Sequence, residues 1–157
     1  MTATSILGLD GQGAVLEGRG EPELSGACIH LGVRRTRPGA RVIMVGPVVR
    51  NIPIKKLILP LSQHTHTPYA TALGCLENPR LEMVHQNTCR FLGRCAWDTG
   101  YQPATMIEEG ERLGQVLGDK DILFMCHHGT LVSPGQIGRV SVSILSFLSG
   151  RGSQGRE

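Results

Sequence analysis

The run Asp121-Ile122-Leu123-Phe124-Met125-Cys126 constrains this chain more than any other stretch. After Asp121 the five residues Ile122 to Cys126 are continuously apolar and of strand length, so the run reads as a central strand covered on both sides. Such a strand needs pairing partners on its flanks and layers above and below it. For 157 residues this means one domain around a single core. The strand delivers His127-His128-Gly129 at its end.

The remaining segments supply the partners. Ser5 to Asp10 and Ala14 to Gly18, joined through Gly11-Gln12-Gly13, read as a β-hairpin. Ser25 is placed to cap a helix whose apolar side is Ala27, Cys28, Leu31 and Val33, and that helix ends near Arg37-Pro38-Gly39. Arg41 to Met44 begins a buried strand. Thr67 caps a further helix, Pro68 suits its first turn, and Tyr69 is expected to pack within it. Leu81 to His85 reads as a short strand. Thr105 to Leu117 has helical spacing, with Glu108, Glu109 and Glu111 early, where the helix dipole favours acids. Trp97, the only tryptophan, is expected to be a half-buried packing residue. Alternating strands and helices, opened by a hairpin, imply a layered α/β domain whose sheet is not purely parallel.

Several classes of function are excluded early. The five cysteines are an odd number with no C-x-x-C pair, which argues against a disulfide framework or a cysteine zinc finger. The net charge of +3 comes from two separate pieces. Residues 45–63 hold Arg50, Lys55 and Lys56 without an acid, and residues 133–157 hold Arg139, Arg151 and Arg156 against Glu157. A nucleic-acid footprint gathers its cations on one element, so no nucleic-acid partner is expected. Leu57 to Leu76 and Ile122 to Gly138 lack Lys, Arg, Asp and Glu, but Pro, Gly, His and hydroxyl residues interrupt both; neither reads as a membrane span. The opening Met-Thr-Ala-Thr-Ser has no basic region ahead of an apolar one, so the expected location is the cytoplasm.

His64 and His66 stand two apart, which on an extended backbone puts both imidazoles on one face. The third ligand to a shared cation would come from the end of the apolar strand. Neighbouring strand residues point to opposite faces, so one of His127 and His128 should reach the ion. Three histidines with an open position suit a catalytic divalent site, zinc or another late first-row ion.

The residues around these histidines are more specific than their spacing. His64-Thr65-His66-Thr67-Pro68-Tyr69-Ala70-Thr71-Ala72-Leu73 and Phe124-Met125-Cys126-His127-His128-Gly129 closely resemble the two signature segments of the class II aldolase/adducin family. Leu81 to Asn87, Gly114 to Asp121, Leu9 to Gly18, and Ile29-His30 with Arg37-Pro38 also resemble family sequence. The likeness covers residues 3–44 and 64–132. It implies a three-layer α/β/α sandwich with a mixed, largely antiparallel sheet, assembled as a homo-oligomer. It also implies His64, His66 and His128 as ligands of a divalent metal, most simply zinc, with His127 and His85 on the substrate side or behind the ligands. The implied activity is an aldolase-type carbon–carbon lyase on a small hydroxy-carbonyl or sugar-phosphate substrate, the cation acting as Lewis acid.

The chain departs from the family in four places. Gly26 stands where the aldolases carry a proton-shuttling Glu, four residues before His30, which leaves Glu23, or Glu21, as the nearby carboxylate. The Gly-Xaa-Xaa-Ile-His form is closer to the adducin-like branch, so a non-catalytic interaction or assembly module, for example on actin, is the alternative. Residues 1–132 thus read as the family domain, incomplete at its N-terminus, where the family's Gly-Asn-x-Ser segment has no counterpart. Residues 45–63 interrupt that domain and have the character of a translated short intron or a surface loop. Residues 133–157 are an atypical tail, Val140, Val142 and Ile144 alternating with Ser141 and Ser143. These two segments raise a third reading, an inactive truncated gene product.

Overall fold

The structure, a computed structural model, describes residues 7–39, 42–45 and 61–133, with backbone alone for 42–45 and 61–63. In chain order the elements are β1 (Gly8–Leu9), β2 (Val15–Glu17), α1 (Leu24–Thr36), β3 (Val42–Val45), β4 (Leu61–Thr65), α2 (Pro68–Gly74), α3 (Gln86–Cys89), β5 (Cys95–Asp98), α4 (Ile107–Leu117), β6 (Ile122–Met125) and β7 (Gly129–Val132). They fall into two compact units. One holds residues 1–37 and 102–115, the other 38–101 and 116–157. Most of the segment 45–63, and the tail beyond Ser133, lie outside the described residues; Val45 ends β3 and Leu61 to Gln63 belong to β4.

In the first unit β1 and β2 pair antiparallel, as the hairpin reading requires. The Asp10 carboxylate accepts the N–H groups of Gln12 at 2.8 Å and Ala14 at 2.9 Å, which holds the turn and lowers the pKa of that carboxyl. α1 is capped by Glu23 rather than by the expected Ser25. Its two carboxylate oxygens accept Ser25 N–H at 3.0 Å and Gly26 N–H at 2.6 Å, and Oε1 also takes the Ser25 hydroxyl at 2.9 Å. A longer acid one residue before the helix reaches the orphan first-turn donors that a serine inside it does not. α1 crosses the first turns of α4 at two glycines: a Cβ on Gly32 would collide with the backbone of Gly110 and Glu111. Arg35 closes that crossing with an ion pair to Glu111 at 2.9 Å.

The second unit is a five-stranded mixed sheet in the order β3-β4-β7-β6-β5. The outer pairs β3–β4 and β5–β6 are parallel, and the inner pairs β4–β7 and β7–β6 antiparallel. β6 is buried along its whole length, as its apolar run demands, and so is β7. Phe124, Ile122 and Val132 form a core with Ala70 and Phe91, against which Leu73, Leu81, Met83, Cys95 and Trp97 pack. Trp97 is half-buried and stacks on Phe124 with ring centroids 4.1 Å apart and planes 8° from parallel. Removing Phe124 to Ala would cost about 3–5 kcal/mol through lost contact and the void left behind.

Residues 81–85, expected as a strand, form no ladder. Leu81 and Met83 still turn inward while Glu82 and Val84 face out, so the alternation reports an extended segment laid over the core. Tyr69, expected to pack, is 68% exposed. Thr67 precedes α2 but makes no side-chain cap bond, and Pro68 opens the helix as expected. Among the described residues no helix is long and apolar enough to cross a membrane.

Candidate metal centre

Strand pairing determines what meets at the end of β4. β4 runs antiparallel to β7 with His64 opposite Leu131 and Thr65 opposite Thr130. β7 joins β6 through residues 126–128, with Met125 paired to Gly129. The pairing therefore carries His64 and His66 to His128, more than sixty positions away in the chain. Ring centroids are 4.7 Å apart for His64 and His66, 4.8 Å for His64 and His128, and 4.9 Å for His66 and His128. One ring nitrogen from each lies within 4.8 Å of the other two.

The hydrogen bonds decide which nitrogens face inward. His64 Nδ1 stands 3.2 Å from the Thr130 carbonyl, which can only accept, so Nδ1 carries the proton and Nε2 keeps its lone pair. That lone pair points at His66 Nε2, 2.9 Å away. Two ligand nitrogens of a tetrahedral zinc ion sit about 3.3 Å apart when each bond is about 2.0–2.1 Å. A few tenths of an ångström separate the two arrangements. A carbonyl behind a ligating histidine is also the usual way its tautomer is held. The donor set thus fits a divalent late first-row cation. His64 is 5% exposed, His128 half-buried and His66 exposed, which leaves the centre open on the His66 side.

The turn that presents His128 is tight. The His128 N–H donates to the Met125 carbonyl at 3.1 Å, and His127 between them adopts φ 60°. That left-handed conformation costs a side chain of this size of order 1 kcal/mol or more. His127 itself is exposed, and its N–H donates to the Gly74 carbonyl at 3.3 Å. Gly129 follows because nothing larger fits: a Cβ there would come within 2.6 Å of both His66 Cδ2 and the Thr65 carbonyl oxygen.

Of the other residues singled out from sequence, His85 caps α3. Its Nδ1 accepts the Asn87 N–H at 3.1 Å, and the Thr88 hydroxyl accepts the His85 N–H at 3.2 Å. Glu23 caps α1 as described, and Gly26 is buried in the first turn of that helix. A fourth ring near the histidines was not foreseen. Tyr101 stands edge-on to His128, centroids 6.1 Å apart and planes at 83°. No spacing rule ties position 101 to position 128, so nothing in the sequence marks the contact. The hydroxyls of Thr67 and Thr71 are buried without a hydrogen-bond partner among the described residues.

Comparison with known proteins gives one consistent result. Residues 62–138 match the family described as Class II Aldolase and Adducin N-terminal domain. The chain is similar to an adducin-related protein of Schizosaccharomyces pombe, 24% identical over 127 residues, or 80% of this chain and 32% of that protein. Its fold is similar to an aldolase II superfamily protein from Pseudomonas syringae, with TM-score 0.65 and 22% identity over 90% of this chain and 51% of the other. It is also similar to an L-fuculose 1-phosphate aldolase from Glaciozyma antarctica, with TM-score 0.64 and 21% identity over 96% and 51%. The chain spans about a third of the curated relative and about half of these two structures.

Proposed function

We propose, from the premise that this chain belongs to the class II aldolase/adducin family, that it is a metal-dependent aldolase-type lyase acting on a small hydroxy-carbonyl or sugar-phosphate substrate. The observation that carries this reading is that one ring nitrogen from each of His64, His66 and His128 lies within 4.8 Å of the other two. Zinc is the ion best matched to three imidazoles with an open position. When bound, such an ion supplies Lewis acidity toward a carbonyl oxygen, the polarisation that scission of the neighbouring carbon–carbon bond needs.

The protein's own groups do the rest. His64 is held in the Nδ1–H tautomer by the Thr130 carbonyl, so its Nε2 is available without a proton having to leave. Gly129 leaves room for the His66 ring. The exposed His66 side admits substrate, and His127 keeps the turn on which His128 stands. Glu23 is the carboxylate we assign to proton transfer, because Gly26 leaves it the nearby acid before His30 in the sequence. We place the active form in the cytoplasm as a homo-oligomer.

Elemental analysis of the purified chain, with its oligomeric mass, is the first test. Near-stoichiometric zinc that is lost in His64→Ala and His128→Ala supports the centre, and metal-free wild type refutes it. Retro-aldol turnover of L-fuculose 1-phosphate and related hydroxy-carbonyl compounds then tests the reaction. Gly26, in place of a shuttling Glu, favours a second reading as an adducin-like assembly module. That reading expects co-sedimentation with actin and no turnover even in Gly26→Glu.

A further inference from the structure

Cys75 and Cys126 flank the hydrogen bond that ties the end of α2 to the histidine turn, Cys75 following Gly74 and Cys126 preceding His127. Gly74, the last residue of α2, lies flush against the end of β6: a Cβ there would touch Cys126 Cα at 3.5 Å and the Met125 carbonyl oxygen at 3.7 Å. The Gly74 carbonyl also accepts the His127 N–H at 3.3 Å. Cys75 is one residue step from that backbone contact. Consecutive Cα atoms are about 3.8 Å apart, and disulfides join Cα atoms separated by about 4.4–6.8 Å. Cys75 is exposed and Cys126 buried.

We propose that Cys75 and Cys126 are a reversible redox pair whose disulfide clamps the end of α2 to the turn that carries His128. The oxidant is a hydroperoxide. The Cys75 sulfur attacks the O–O bond of hydrogen peroxide and becomes a sulfenic acid, releasing water. The Cys126 sulfur then displaces the hydroxyl from Cys75, its proton leaving with that oxygen as a second water. Two thiols and one peroxide thus give one disulfide and two waters.

Of the three remaining cysteines, Cys28 is buried in α1. The Cys89 thiol donates to the Met83 carbonyl at 3.6 Å, and the Cys95 thiol to the Phe91 carbonyl at 3.7 Å. Burial pushes the Cys95 thiol up to about 11.

The test uses the full chain and needs no metal. Reduced protein is treated with hydrogen peroxide, quenched with an alkylating agent, digested and mapped by mass spectrometry, and amide hydrogen exchange is measured before and after. The expected result is a Cys75–Cys126 linked peptide that reductant removes, with exchange across residues 126–129 slowed on the order of tenfold. Cys75→Ser and Cys126→Ser should abolish both, and the exposed Cys75 variant suffices if the buried one misfolds. The proposal is overturned if Cys126 remains fully alkylatable after unfolding, if the linked peptide joins other cysteines, or if exchange in the turn is the same in both forms.

Discussion

The imidazole of His66 occupies the space that a side chain on Gly129 would need. A Cβ at position 129 would stand 2.6 Å from His66 Cδ2, closer than bonded neighbours aside any carbon tolerates. The Thr65 carbonyl oxygen is equally close to that Cβ position. The glycine after the second histidine is therefore a steric requirement of the ligand set.

Gly129→Ala should displace His66 and weaken zinc binding on the order of tenfold or more while the chain stays folded. Competition with a chromophoric chelator, alongside far-ultraviolet circular dichroism, checks both halves. Retention of wild-type affinity would show that the ring has room to move.

A cation that binds only the assembled centre must stabilise the folded chain. At a free zinc concentration a hundredfold above Kd, unfolding should become harder by about 2.7 kcal/mol. Chelation should reverse the gain, and His64→Ala should show none. Denaturant titration with and without zinc measures it.

His127 holds a left-handed backbone conformation while carrying an imidazole side chain. His127→Gly or His127→Asn should relieve that cost and raise stability by about 0.5–1 kcal/mol, glycine gaining less because it also loosens the unfolded chain. The readout is the urea midpoint at unchanged slope.

Burial lowers the pKa of His30 to about 4, against an unperturbed value near 6.5. The folded state then binds its proton less readily than the unfolded state. Stability should hold above pH 6.5, fall as the pH drops toward 4, and level off below. At pH 4.5 the loss attributable to this residue is about 2–3 kcal/mol. His30→Gln should flatten that part of the curve, which urea denaturation at several pH values would reveal.

Glu23 carries two expectations that one pair of variants separates. As a cap, Glu23→Ala should cost about 0.5–1 kcal/mol, and Glu23→Gln less, since an amide oxygen still accepts. As the proton-transfer group, Glu23→Gln should lower kcat at least about a hundredfold with little change in stability. A Gln variant with wild-type turnover confines Glu23 to the cap.

What could be read from sequence follows from how local the signals are. β6 was legible because five apolar residues in a row admit few alternatives, and His64 and His66 because a period of two puts them on one face. β5 was not, since Cys95-Ala96-Trp97 between Arg94 and Asp98 is too short and mixed to stand out from a loop. Its place comes from tertiary pairing with β6 and from the Arg94–Asp121 ion pair at 2.6 Å. The Leu81–Met83 alternation was real but reported packing without a strand partner. The choice between Ser25 and Glu23 as cap turned on side-chain reach, which residue type alone does not reveal. Tyr101 illustrates the limit: its neighbour His128 is chosen by the sheet, not by any local pattern.

The antiparallel register of β4 on β7 has one more consequence. Sliding β4 by a single position would swap the faces its side chains occupy, turning the His64 ring away from His128 and breaking its bond to the Thr130 carbonyl. An ion gripped by both ends of that ladder would act as a proofreader of strand alignment, holding only the correctly threaded sheet and leaving every slipped one to unravel.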